Sequence, residues 1–335
     1  MHTISAFRGK SQNLGLAKMI AAVLVIVSHA WPVLGRGTDP LWSLSREQMT
    51  FGGLAVALFF FASGFFVTGS MIKKNGKKFF PSRFIRLWPA FAAVILLSAF
   101  LLGPLVTNLS AGAYFSSPET WSYLLYLVMV PRYSLPGVFT SNPVSLVNGS
   151  LWTMVLEVIC YIALFCVWKL KLLQQRFLRW LIIAYILCAL IVFGLQPAFL
   201  ATYRDYLRPV FLFASGVLFC LLRDRIPLNW KAGVCSGLLF LLLFILGYGN
   251  LALVLVFPLL ISQLIFTSRQ VPSALGRLGD WSYALYLVAF PIQQLWVLWF
   301  PHSGIALHIL LSVLCSFVAA LGLYYGVESR FHLRQ

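Results

Sequence analysis

Apolar runs recur along almost the whole chain. Ten segments approach or exceed the length of about twenty residues that crosses the hydrocarbon layer of a bilayer: 14–34, 51–71, 83–106, 150–168, 178–195, 206–222, 231–247, 250–266, 280–300 and 305–327. The stretch 119–130 is apolar but too short, and Pro131, Pro136 and Pro143 follow it, so it reads as an interfacial or re-entrant piece. The pattern predicts an all-α polytopic membrane protein of about ten transmembrane helices, with 1–335 forming a single membrane-embedded domain and no separate soluble domain.

Composition strengthens this reading. The 335 residues are 61% hydrophobic and only 10% charged, against about a quarter charged in soluble proteins. A net charge of +17 raises the possibility of nucleic-acid binding, but that function needs Lys and Arg gathered on a soluble face, which this chain lacks. The charge reads instead as topology. With ten spans and a cytoplasmic N-terminus, only Arg36, Arg46, Arg132, Arg204 and Arg208 of the 25 Lys and Arg fall outside, a strong positive-inside bias. Both termini are then cytoplasmic and 107–149 is the largest external loop. Counting 119–130 as an eleventh span would invert every later loop and destroy the bias.

The first apolar run also ends like a signal peptide at Ser28-His29-Ala30, but it continues through Trp31, Pro32, Val33 and Leu34, which favours an uncleaved span. The six cysteines lie in or beside spans, with no CxxC pair and no His at ligand spacing, so neither a metal site nor a disulfide framework is expected.

Candidate chemistry is sparse. His29 is an imidazole inside hydrocarbon, a costly placement that calls for a job or a buried partner. Lys18 precedes it on the same helix by eleven positions, about 16 Å along the axis, at the cytoplasmic end. Taken singly, Lys18 also fits a snorkelling anchor and His29 a residue satisfied by one bond to a neighbouring helix. Glu157 is the one acidic residue well inside a predicted span. It lies about 10 Å below the outer surface, a depth similar to that of His29, and a carboxylate there suits the support of a general base or a purely structural His–Glu pair. Between Lys73 and Arg86, six cations fall in fourteen positions. The lysines suit anionic lipid, whereas Arg83 and Arg86, spaced i and i+3, present two guanidinium forks suited equally to a phosphorylated ligand or to lipid. Ser63, within Phe59-Phe60-Phe61-Ala62-Ser63-Gly64-Phe65, and Tyr283 and Tyr286, within Ser282-Tyr283-Ala284-Leu285-Tyr286-Leu287, fit packing or interfacial anchoring when taken alone.

These pieces, in this order and spread over nearly the whole chain, resemble the acyltransferase-3 family of integral-membrane acyltransferases. The resemblance rests on Lys18 to His29, the Phe59–Phe65 run, Arg83-Phe84-Ile85-Arg86-Leu87-Trp88-Pro89, Leu151-Trp152-Thr153-Met154-Val155-Leu156-Glu157, and the Ser282–Leu287 run. It implies O-acylation: an acetyl or other short acyl group passes from acyl-CoA to a hydroxyl of an extracytoplasmic polysaccharide or lipid-linked sugar. It further implies His29 as catalytic base, Glu157 as supporting acid residue, and Lys18, Arg83, Arg86, Ser63, Tyr283 and Tyr286 at the donor site. Acetyl-CoA would be a substrate rather than a resident cofactor, and no metal or nucleic acid is expected. Membrane lipids would surround the chain, in the bacterial cytoplasmic membrane.

Two residues depart from the family pattern. Lys18 stands in place of the usual Arg, keeping charge but losing the bidentate fork. Ala289 stands where many members have a second His. Phosphates held at the cytoplasmic side would let an extended pantetheine arm, about as long as the Lys18–His29 rise, bring the thioester outward. Direct transfer is the preferred course and an acyl-histidine intermediate the other. A proton-coupled transporter or flippase of a glycan intermediate or small anion is the alternative of another class. Paired repeats that would favour it are not evident.

Overall fold

The computed structural model describes residues 3–7, 11–74, 76 and 79–332. Arg8, Lys10, Lys77, Lys78 and Arg334, used above in the charge pattern, lie outside the described residues. Among the described residues the fold is all-α; the one β-type contact is an isolated bridge between Thr3 and Pro227.

Among the described residues, six helices are long and apolar enough to cross a membrane: Gln12–Val33, Phe51–Lys73, Phe79–Val106, Gly149–Lys169, Gln175–Leu195 and Ile305–Phe331. The other four predicted spans are also helical but shorter or more polar. Arg204–Leu221 has 18 residues and begins with charged groups. Trp230–Ile245 is apolar but has only 16. The segment 250–266 divides into Gly249–Leu255 and Phe257–Ile265, with the break at Val256. Pro258 explains the division, because it sits in the first turn of the second helix and has no N–H to return to the Val254 carbonyl, so the bond that would carry the first helix across Val256 is missing. Ser282–Trp299 carries Gln293 and Gln294 in its interior. The stretch 119–130 forms the five-residue helix Pro118–Ser122 and the 3-10 turn Tyr123–Val128, ending at Met129 in a left-handed conformation.

The chain forms two compact units. One comprises Met1–Ala21, Pro40–Lys77 and Leu156–Gly279. Its centre is the pairing of Phe51–Lys73 with Arg204–Leu221. Gly64 and Gly216 make it possible: a Cβ on Gly64 would run into the Phe213 carbonyl, and one on Gly216 into the Phe61 carbonyl. Small residues let helix backbones approach closely where hydrophobicity gives no net drive between helices in lipid. Thr50 caps the first of these helices, its hydroxyl accepting from the Gly53 N–H at 2.9 Å.

The other unit comprises Ala22–Asp39, Lys78–Val155 and Asp280–Gln335. Ser282–Trp299 packs on Ile305–Leu323 and on Phe79–Leu97. The external segment predicted as a loop is tied to the first of these helices. Asn142 donates to the Gln294 carbonyl at 2.9 Å, Asn148 donates to the Leu287 carbonyl at 2.8 Å, and Gln294 donates to the carbonyls of Val144 and Leu146 at 2.5 and 2.6 Å. Earlier in the 107–149 segment, Tyr114 donates to the Ala99 carbonyl at 2.8 Å, within the π-helical turn Ser98–Leu102. Burial pushes the Tyr114 phenol up to about 12, so it stays a donor at neutral pH.

Because the close helix pairing leaves no room for a side chain, Gly216→Val is expected to lower stability by at least the ~1–3 kcal/mol typical of overpacking. Thermal denaturation of the detergent-extracted protein, followed by fluorescence-detected size exclusion, measures it. An unchanged midpoint would contradict the packing.

Candidate active site

His29 lies near the C-terminal end of the 22-residue helix Gln12–Val33, in the unit that holds Ala22–Asp39. Its neighbours Ser28 and Ala30 are buried, and His29 itself is half-buried. The ring meets Phe290 edge-on, with centroids 5.3 Å apart at 79°. One turn earlier, Gln293, fully buried, donates to the Ile26 carbonyl at 2.8 Å. These contacts seat the first helix against Ser282–Trp299. Ser28 donates to the buried Asp39 carboxylate.

The same unit carries four more of the expected residues. Arg83 and Arg86 occupy the early turns of Phe79–Leu97, the first half-buried and the second exposed. Tyr283 donates to the Leu87 carbonyl at 2.8 Å, which ties its helix to the one bearing the arginines. Tyr286 donates to the Ser150 carbonyl at 2.6 Å and lies 2.5 Å from the Thr153 hydroxyl. Both tyrosine hydroxyls thus hold helices in register.

Lys18, Ser63 and Glu157 belong to the other unit. Lys18 is half-buried in the N-terminal part of its helix. Ser63 donates to Glu157 Oε1 at 2.9 Å and lies 3.1 Å from the Tyr161 hydroxyl, which also donates to Glu157 Oε1. The cluster is a three-membered ring of two hydroxyls and a carboxylate, with charge-assisted bonds on the carboxylate. Sequence places Ser63 beside Gly64, the contact glycine of the helix pair, and Tyr161 one helical turn after Glu157.

The structure therefore brings Ser63 to Glu157. It gives His29 the contact with Phe290, in a different unit from Glu157. Two residues escaped the sequence reading. Tyr161 had a signal, the i, i+4 spacing from Glu157. Asp39 had none, since it sits in a turn and reaches Ser28 only through the path of the chain. Among the described residues, no group of three or more His, Cys, Asp or Glu is placed to hold a metal ion.

A family model described as an acyltransferase domain matches residues 12–326. An O-acetyl transferase of Shigella phage Sf6 is 31% identical over 157 residues, covering 46% of this chain and 44% of that protein. Nodulation protein 10 of Rhizobium leguminosarum bv. viciae is 32% identical over 168 residues, covering 47% of this chain and 44% of that protein. The matches thus span under half the length of these curated relatives. No solved structure matches the chain.

Tyr161→Phe removes one of the two hydroxyl donors to Glu157 and leaves the ring in place. The expected cost is about 1.5–3 kcal/mol, the range for hydrogen bonds to charged groups, read as a lowered thermal midpoint. An unaltered midpoint would show that the bond carries no stability.

Proposed function

The chain belongs to the acyltransferase-3 family, and we propose that it moves an acetyl or other short acyl group from cytoplasmic acyl-CoA to a hydroxyl of an extracytoplasmic glycan or glycolipid, with His29 as general base. The observation that carries this reading is the setting of His29: an imidazole within an apolar helix long enough to cross a membrane, held edge-on against Phe290. The printed name of the phage relative, an O-acetyl transferase, supports the same chemistry.

In the proposed step His29 takes the proton of the acceptor hydroxyl as its oxygen attacks the thioester carbonyl. The new C–O bond forms, the C–S bond breaks, and the imidazolium returns the proton to the departing thiolate, leaving an ester and free CoA. General-base catalysis of this kind typically supplies about 10²–10⁴-fold. Arg83 and Arg86 offer guanidinium groups on one helix for nucleotide phosphates, and Lys18 a further cation. Tyr283 braces the arginine-bearing helix through the Leu87 carbonyl. Tyr286 and Ser63 are proposed to shape the donor site, and Glu157 to act as the supporting acid residue. We propose with it the ten-span arrangement, both termini cytoplasmic, in a bacterial plasma membrane; the positive-inside pattern supports the orientation. This arrangement feeds the donor from one side and the acceptor from the other.

Inverted membrane vesicles given acetyl-labelled CoA are expected to transfer label to glycan. His29→Ala should lower transfer by about 10²–10⁴-fold while the variant still extracts as a single monodisperse species. Full transfer by that variant would remove His29 as base. Movement of intact sugar without thioester consumption would replace the enzyme by a transporter.

A further inference from the structure

The helix that carries His29 runs unbroken to Val33 but lacks one regular hydrogen bond beside His29. Pro32 lies inside it; proline has no N–H to return to the carbonyl four residues earlier, and its ring crowds that carbonyl. The carbonyl concerned is that of Ser28, so the turn from 28 to 32 lacks one of the bonds that hold an ordinary helix. Past this turn the chain bends through Gly35 and Gly37, whose φ values of 69° and 78° suit glycine. It then returns to lay Asp39 against the weakened turn. Asp39 is only 2% exposed, and its Oδ2 accepts from Ser28 Oγ. A carboxylate withdrawn from water is costly unless hydrogen bonds compensate it. Here one such bond goes to the residue adjoining His29, at the turn where the helical bond is missing.

We propose that Asp39 is a positioning residue for His29. Through Ser28 it replaces the restraint that Pro32 removes and keeps the imidazole at its angle to Phe290. The inference rests on the reading of His29 as general base. Its physical content is that a base displaced by about 1 Å loses up to 10²-fold in rate, and that a turn missing one internal bond yields readily to such displacement. Glu157 belongs to the other unit, where its Oε1 accepts from Ser63 and Tyr161.

The test uses membranes holding the full chain, with acetyl-labelled CoA as donor and the host's own surface glycan as acceptor. Asp39→Asn preserves size and removes the charge. Its kcat should fall by about tenfold or more, within the range that misplacement produces, while KM for acetyl-CoA changes less than about twofold. Asp39→Glu should recover part of kcat. Ser28→Ala should lower kcat in the same way, and the double variant should be no slower than Asp39→Asn alone, because both changes break one link. A purely structural role would reduce the amount of folded protein and leave kcat per folded molecule intact. Wild-type kcat in Asp39→Asn, or losses that multiply in the double variant, would overturn the inference. Should Asp39→Asn fail to fold, an unchanged kcat in Ser28→Ala overturns it instead. His29→Ala, run alongside, separates the two ideas: full transfer by it removes the base, whereas an inactive His29→Ala beside a fully active Asp39→Asn removes only the Asp39 link.

Discussion

Irregular backbone withdrawn from water has to find its hydrogen-bond partners inside the protein, and in the unit that holds His29 the helix Ser282–Trp299 supplies them. Carbonyls of Val144, Leu146 and Ser150 are taken by Gln294 and Tyr286, and Asn142 and Asn148 reach from the external segment to carbonyls of the same helix. Gln293 serves the first helix in the same way through the Ile26 carbonyl. This explains why a helix at the heart of the unit contains two fully buried glutamines. Phe290, which braces the candidate base, sits on that same helix, so the anchoring of the outer segment and the orientation of His29 share one support.

The other unit depends on a steric constraint instead. Gly64 and Gly216 allow the backbones of Phe51–Lys73 and Arg204–Leu221 to touch, and Ser63 is the residue next to one of those contacts. Its hydroxyl therefore occupies a place set by backbone packing rather than by a mobile side chain. Glu157 meets it there together with Tyr161. A carboxylate in an apolar helix is tolerated when hydroxyl donors surround it, and this cluster provides two.

Several features of the fold follow from prolines and from turns of unusual geometry. Pro258 divides one predicted span, and Pro32 weakens the helix end that bears His29. The π-helical turn at Ser98–Leu102 has its Ala99 carbonyl satisfied by Tyr114. In each case the interruption of regular hydrogen bonding is local, while its compensation comes from a residue elsewhere in the chain or from the start of a new helix. Asp39 bonded to Ser28 belongs to the same class.

The helical class of the chain, its concentration of apolar segments and the family motifs were legible in the sequence, because apolar run length and short motifs are properties of continuous stretches. Lys18 and His29 could be assigned to one helix for the same reason. The span count was less legible: Val256 divides one run, and Gln293 and Gln294 give another a polar interior whose purpose appears only in their partners. The neighbours of the candidate site were decided by tertiary structure alone. Nothing local to Glu157 announces Ser63, 94 positions earlier, and nothing in the turn after Leu34 announces that Asp39 returns to Ser28. Solvation preference is written into each segment, whereas a hydrogen bond needs two groups that only the folded path brings within reach.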